Sequence, residues 1–170
     1  DFDWNQPCKI ERKMTENSLE ISESKIESVS FGHNVKVIKP TNLYGCQIGD
    51  NCFIGPFVEI QKKASVGART RIQSHSFICE LVTIGTDCFV GHGVMFINDS
   101  FVNNGPARGD TDKWSETVIG NRVYIGSNAT IMPVEICDDV VVGAGAVVTR
   151  SIFEPGTYVG NPARRLQKKS

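Results

Sequence analysis

Large apolar residues occupy every sixth position from Ile48 to Phe96: Ile48, Ile54, Ile60, Val66, Ile72, Ile78, Ile84, Val90 and Phe96. A period of six fits neither an α-helix, which would scatter these residues around its axis, nor a long strand, which alternates in twos. A fixed short period marks a solenoid, and windows of six specify a parallel β-helix. Each window supplies one short strand and one corner, and three windows close a coil. The first residue of each window fills the interior. The fifth points inward too, into a tighter space, and is held by Cys52, Val58, Ala64, Thr70, Ser76, Val82, Cys88 and Val94, all small or medium. Glycine follows the large residue at Gly49, Gly55, Gly67, Gly85 and Gly91, where corners with unusual φ/ψ are expected to select it.

The phase breaks after Phe96 and resumes at Ile119, Ile125 and Ile131; Ile136 then arrives one residue early, and Val142 and Val148 follow at six. The short step contains Met132-Pro133 and reads as a tightened corner. Upstream, Phe31, Val37 and Leu43 keep the period, and a five-residue step leads to Ile48. The expected organisation is a polar segment over 1–30, a prism of roughly six coils over 31–153, and a C-terminal turn with a basic tail over 154–170. Between the two phased stretches, about 98–117, the chain reads "NDSFVNNGPARGDTDKWSET". A twenty-residue irregular segment in a compact domain is usually functional or disordered, with a plain surface insertion as the alternative. Phe101 and Trp114 within it are expected to pack on something.

A chain of 170 residues with net charge -1 and pI near 6.3 offers no basic surface for nucleic acid or anionic membrane. No apolar run reaches the roughly 18 residues of a membrane span. The six cysteines lack any CxxC spacing, which favours free thiols and a cytoplasmic setting over disulfides or zinc. Of the three histidines, His33 lies too far along the prism to join His75 and His92 in a zinc site, so no metal is expected.

The repeat frame singles out two of those histidines. His75 is the fourth residue of the Ile72 window and His92 the third of the Val90 window, the middle windows of successive coils. They are predicted to share one edge of the prism, about one strand spacing (~4.8 Å) apart. His92 is flanked by Gly91 and Gly93, which leave room for a ligand. A solvated corner histidine is the plain alternative, and His75 reads as a supporting or structural residue. Asn98 and Asp99 open the irregular segment; both residue types also favour turns. Asp99 is placed to hold a substrate ammonium or orient a histidine. Arg108 is suited to pair a diphosphate or to brace the loop.

The stretches "IGSNATIMPVEICDDVVVGAGAVVTRSI" and "PGTYVGNPARRL" resemble the C-terminal coils and following turn of the hexapeptide-repeat acyltransferases. "GHGVMFINDSF", the extended loop and "NPAR" are similar to the subgroup that N-acetylates amino sugars on nucleotide carriers. The resemblance implies an all-β, left-handed parallel β-helix, against the usual right-handed rule for parallel crossovers. It also implies a homotrimer with three active sites between neighbouring prisms and acetyl-CoA lying along each cleft. By resemblance, Asn98 matches an active-site Asn. Gly126, Ser127 and Ala144 line the pantetheine arm, and Arg150 with Arg164 or Arg165 reaches the nucleotide end. Arg150 stands where the family often has Lys, which keeps phosphate binding plausible. No GK[ST] follows Gly143–Gly145, so these glycines are not a phosphate loop.

Acyl transfer to an amine needs a neutral nucleophile, a positioned thioester and a donor for the oxyanion. His92 is the candidate base, with Asn98 and Asp99 as further catalytic candidates; His75, Asn98, Asp99 and Arg108 are candidates for substrate binding. The function expected is N-acetylation of an amino sugar on a nucleoside diphosphate, a surface-polysaccharide (lipopolysaccharide or O-antigen) precursor. Alternatives are N- or O-acetylation of a free sugar, serine or a xenobiotic, and a non-catalytic structural β-helix.

Overall fold

A computed structural model describes residues 24–101 and 105–167. The chain winds into a left-handed parallel β-helix of about seven turns. Its strands are mostly two residues long and stack into three parallel sheets. Sheet I has seven strands, from Ile26–Glu27 to Val147–Val148. Sheet II has six, from Ser30–Phe31 to Glu135–Ile136. Sheet III has eight, from Lys36–Val37 to Arg164–Arg165. The chain visits I, II and III in turn, so the prism has three edges: I/II, II/III and III/I. The ladder starts at Ile26, paired with Leu43, five residues before the period becomes readable, and this accounts for about seven turns where roughly six were expected.

The inward stripes follow the predicted frame. All nine first-position residues from Ile48 to Phe96 and all eight fifth-position residues from Cys52 to Val94 are buried. Register explains this: Ile48 pairs with Val66, Val66 with Ile84 and Ile84 with Ile119, so like positions stack coil on coil. Each such Ile or Val contributes about 1.5–3 kcal/mol on burial. Inward hydroxyls and thiols find carbonyls on the next coil: Thr70 Oγ1 donates to Gly85 O (2.9 Å), Ser76 Oγ to Gly91 O (2.7 Å) and Cys88 Sγ to Gly120 O (3.1 Å).

The glycine expectation is corrected. Gly49, Gly55, Gly67, Gly85 and Gly91 do not have positive φ. They are small because the next coil passes over them: an added Cβ at Gly85 would stand 2.5 Å from Gly120 O, and at Gly67 2.5 Å from Gly85 C. The left-handed backbone sits two residues later, at the fourth window position, held by Asn51, Phe57, Lys63, Arg69, His75, Leu81 and Asp87 with φ between 57° and 67°.

The irregular segment leaves at the I/II edge, after Met95–Phe96 of sheet I, and re-enters at Thr117–Ile119 of sheet II. Its base is tied by Ser115 N–H to Asn98 O (2.9 Å), and it contains a 3-10 turn at Thr111–Lys113. Phe101 is 63% exposed and Trp114 half-buried. At the C-terminal end, Gly156–Val159 extends sheet III and pairs antiparallel with Arg164–Arg165.

Candidate functional site

The III/I edge collects five of the predicted residues. Register places Gly91 over Gln73, His92 over Ser74 and Gly93 over His75. His75 and His92 thus share an edge on adjacent coils, both exposed. Gly93 N–H donates to Ser74 O (3.0 Å). One coil further on, His92 N–H donates to Ser127 Oγ (3.2 Å) and Asn128 N–H to His92 O (2.8 Å). Among the described residues no acceptor takes the hydroxyl proton of Ser127. Above it stands Ala144, exposed, with Gly145 N–H donating to Ser127 O (2.9 Å). Gly126 lies on the same edge, and its lack of a side chain has a structural reason: a Cβ would meet Ala144 N at 2.4 Å. His75, His92, Gly126, Ser127 and Ala144 form one line along the prism.

The other candidates lie elsewhere. Arg164 and Arg165 sit in the terminal antiparallel pair of sheet III, beside an open cavity of about 800 Å³ lined by Gly156, Thr157, Arg165, Leu166 and Gln167. Arg165 is already paired with Glu154 and donates to Pro155 O (2.9 Å), while Arg164 donates to Ala163 O (2.9 Å). Arg150 is exposed on the I/II edge.

Asn98 and Asp99 also belong to the I/II edge. Within one chain they are separated from His92 by a whole side of sheet I, up to about 20 Å for six residues at ~3.3 Å each. Asp99 braces the loop: Oδ1 accepts from Phe101 N–H (3.0 Å) and Oδ2 from Ala107 N–H (2.7 Å). Asn98 donates from Nδ2 to Glu80 O (3.3 Å). Arg108 is exposed with φ 51°.

Glu80 escaped the sequence reading. It takes the third position of the Ile78 window, stacked between Lys62 below and Asn98 above. Lys62 Nζ lies 3.3 Å from Oε1, Gln61 Oε1 accepts from Glu80 N–H (3.3 Å), and Oε2 is buried without a partner among the described residues. A buried carboxylate oxygen left open is costly unless something pairs with it. Nearby Tyr44 has its pKa raised, by burial first and then by Glu59 and Glu80. Counting third positions, Lys62–Glu80–Asn98, was the available signal.

The thiols are unsuited to nucleophilic work. Burial pushes Cys79 up to about 12 and Cys46 to about 11, and raises Cys52, Cys88 and Cys137 as well. Since only the thiolate attacks, an acyl-cysteine route through these residues is disfavoured. Among the described residues no cluster of three His, Cys, Asp or Glu side chains is arranged to hold a metal, and His33 lies on the II/III edge, away from the other two histidines.

Residues 45–80 match the bacterial transferase hexapeptide (six repeats), and residues 116–150 match the hexapeptide repeat of succinyl-transferase. The chain carries hexapeptide repeats over both stretches and resembles the hexapeptide-repeat acyltransferases. Bifunctional protein GlmU from Streptococcus uberis is 31% identical over 97% of this chain, and GlmU from Picosynechococcus 30% over 94%. The chain spans about a third of the length of these relatives, 33% in each case. AntD, an N-acyltransferase from Bacillus cereus solved with dTDP and coenzyme A, superimposes with a TM-score of 0.66 at 25% identity, covering 83% of this chain and 84% of that one. Perosamine N-acetyltransferase from Caulobacter crescentus, solved with CoA and GDP-perosamine, shares the fold: TM-score 0.61, 20% identity, 85% of this chain and 58% of that one. No helix among the described residues is long and apolar enough to cross a membrane.

Proposed function

We propose that this hexapeptide-repeat chain is an acetyl-CoA-dependent N-acetyltransferase whose acceptor is an amino sugar on a nucleoside diphosphate. The observation that carries the reading is the III/I edge, where the candidate base His92 is bonded to Ser127 and followed by Ala144. The pantetheine arm lies along Gly126, Ser127 and Ala144, with the thioester beside His92. The CoA phosphates reach toward Arg164 and Arg165. A nucleotide-linked acceptor is supported by AntD with dTDP and coenzyme A.

A ring nitrogen of His92 takes a proton from the amine as its nitrogen attacks the acetyl carbonyl. The C–N bond forms, the C–S bond breaks, and the thiolate of CoA leaves and is protonated in turn. A positioned base of this kind contributes about 10²–10⁴-fold. Glu80, with its open oxygen beside Asn98, holds the acceptor ammonium before it loses its proton, and Asp99 keeps the loop in place.

One chain leaves His92 and Asn98 on different edges, so the complete site needs a second prism, in a homotrimer with one site at each interface. Outward positions agree with this. Sheets I and III, which meet at the III/I edge, expose Met95, Tyr124 and Val141, whereas sheet II presents Ser30, Gln47, Ser65 and Thr83, with Val118 and, in its first strand, Phe31 as apolar exceptions. Free thiols and a nucleotide-linked substrate suit a reducing cytoplasm, and the product suits surface-polysaccharide precursor synthesis.

The test is release of free CoA thiol from acetyl-CoA across a panel of nucleotide-linked amino sugars, with sedimentation to define the assembly. Thiol release with at least one such acceptor by a trimer is expected. Turnover only with serine, a free sugar or a xenobiotic would replace the acceptor, and no thermal shift with CoA or acetyl-CoA would favour a structural β-helix.

A further inference from the structure

Below His92, the III/I edge changes character. Phe57 and His75 occupy the fourth positions of two successive coils, both in left-handed backbone (φ 59° and 64°), with their rings stacked at 4.8 Å between centroids and 26° between planes. Phe57 is 57% exposed although it is a large aromatic. A cavity of about 380 Å³ lies against it, lined on its other sides mainly by Pro40, Thr41, Asn42 and Glu59. Asn42 is held rigid, its Nδ2 donating to Glu59 Oε2 (3.2 Å) and its Oδ1 accepting from Lys25 N–H (3.4 Å). An exposed flat ring braced by a second ring, beside a fixed amide, fits a planar heteroaromatic base with polar edges.

We propose that Phe57 and Asn42 form the subsite for the nucleobase of the acceptor, with Phe57 the stacking surface and the Asn42 amide the group that reads an edge of the base. The inference rests on the acceptor being nucleotide-linked. Two coils separate Phe57 from Gly93, about 9.6 Å at ~4.8 Å per strand spacing. The ribose and diphosphate bridge that interval along His75, so base, reacting amine and pantetheine lie in order along one edge. This assigns His75 a positioning role, as the brace of the Phe57 ring.

The experiment measures the affinity of UDP, dTDP and GDP for the full chain by calorimetry, without turnover, for wild type, Phe57→Ala, Phe57→Trp and Asn42→Ala. At least one nucleoside diphosphate binds wild type. Loss of a stacked aromatic weakens it about 5- to 150-fold in Phe57→Ala, and Phe57→Trp restores it. Asn42→Ala weakens binding as well, and equal affinity of Asn42→Ala and wild type removes Asn42 as the group that reads the base. CoA affinity is unchanged throughout. Equal affinity of Phe57→Ala and wild type, or no binding of any of the three to wild type, overturns the subsite. Because the readout is binding, it stands apart from the acetyl-transfer assay: nucleotide affinity that depends on Phe57 keeps the subsite even if no acceptor in the panel is acetylated.

Discussion

The II/III and III/I edges are built from the same corner, with the left-handed residue at the fourth window position in each: Asn51, Arg69, Asp87, Arg122 and Asp139 on one, Phe57, His75, Gly93, Asn128 and Gly145 on the other. Their side chains do opposite things. On the II/III edge, Arg69 clasps Asp87 through two 2.6 Å bonds, and Arg122 clasps Asp139 (2.6 and 2.8 Å) and reaches Asp138 (3.2 Å). Asn121 links Thr86 to Asp138. These polar groups are matched by groups from the same chain. On the III/I edge, aromatic rings, an exposed histidine, a serine hydroxyl and bare glycine backbone face outward. A repeat scaffold thus separates holding from binding by edge: one backbone geometry serves both, and the outward residue decides which.

That contrast is broken most directly by changes on the III/I edge that leave stability alone. His92→Ala is expected to lower kcat about 10²–10⁴-fold with no change in Tm, since the ring is exposed. Steady-state assays with the best acceptor check it, and an unchanged kcat would remove His92 as the base. Next in size is a change that both edges share. Ile72 is fully buried, and Ile72→Ala should cost about 2–5 kcal/mol in denaturant unfolding. A loss well under 1 kcal/mol would mean that the coils do not depend on a continuous core.

The prism was legible because its cause is local and repeated: an interior that must be filled at every coil writes Ile, Val and Phe at every sixth position. The loop was legible as a loss of that pattern. The reason for the glycines was not, since it lies in the next coil: Gly67 is crossed by Gly85, 18 residues on, and Gly85 by Gly120, 35 residues on across the irregular segment. Glu80 looked like any outward charge, and its burial comes from Lys62 and Asn98 on the adjacent coils. The separation of His92 from Asn98 was implicit in the frame, because one is a third position before a sheet I strand and the other follows it. Sequence adjacency to the loop hid this. Phe57 was an aromatic at an outward position, a signal visible only once the fourth position is known to face solvent.

Smaller effects are expected on the II/III edge, and they fall on stability alone. Gly85→Ala forces a methyl group against Gly120 O, a backbone atom that cannot swing aside, and should cost about 1–3 kcal/mol while the folded protein keeps its kcat. A loss of kcat without a fall in Tm would show that this edge also serves the reaction.

Asp87→Asn is the mildest. The Arg69 guanidinium holds the Asp87 carboxyl below its usual range, so this pair stabilises the fold above the unfolded carboxylate pKa of about 3.9. That contribution is lost as pH falls through the lower folded value, where the carboxylate is protonated. The Tm of wild type should therefore lie slightly above that of Asp87→Asn near neutral pH, and the two should converge below about pH 4. The gap is small because both side chains are substantially exposed (56% and 40%), and salt should narrow it further. Thermal scans from acid to neutral pH at two salt concentrations measure this. A gap that persists in acid would mean that the Arg69–Asp87 pair is not its source, and a change in kcat would erase the distinction between the two edges.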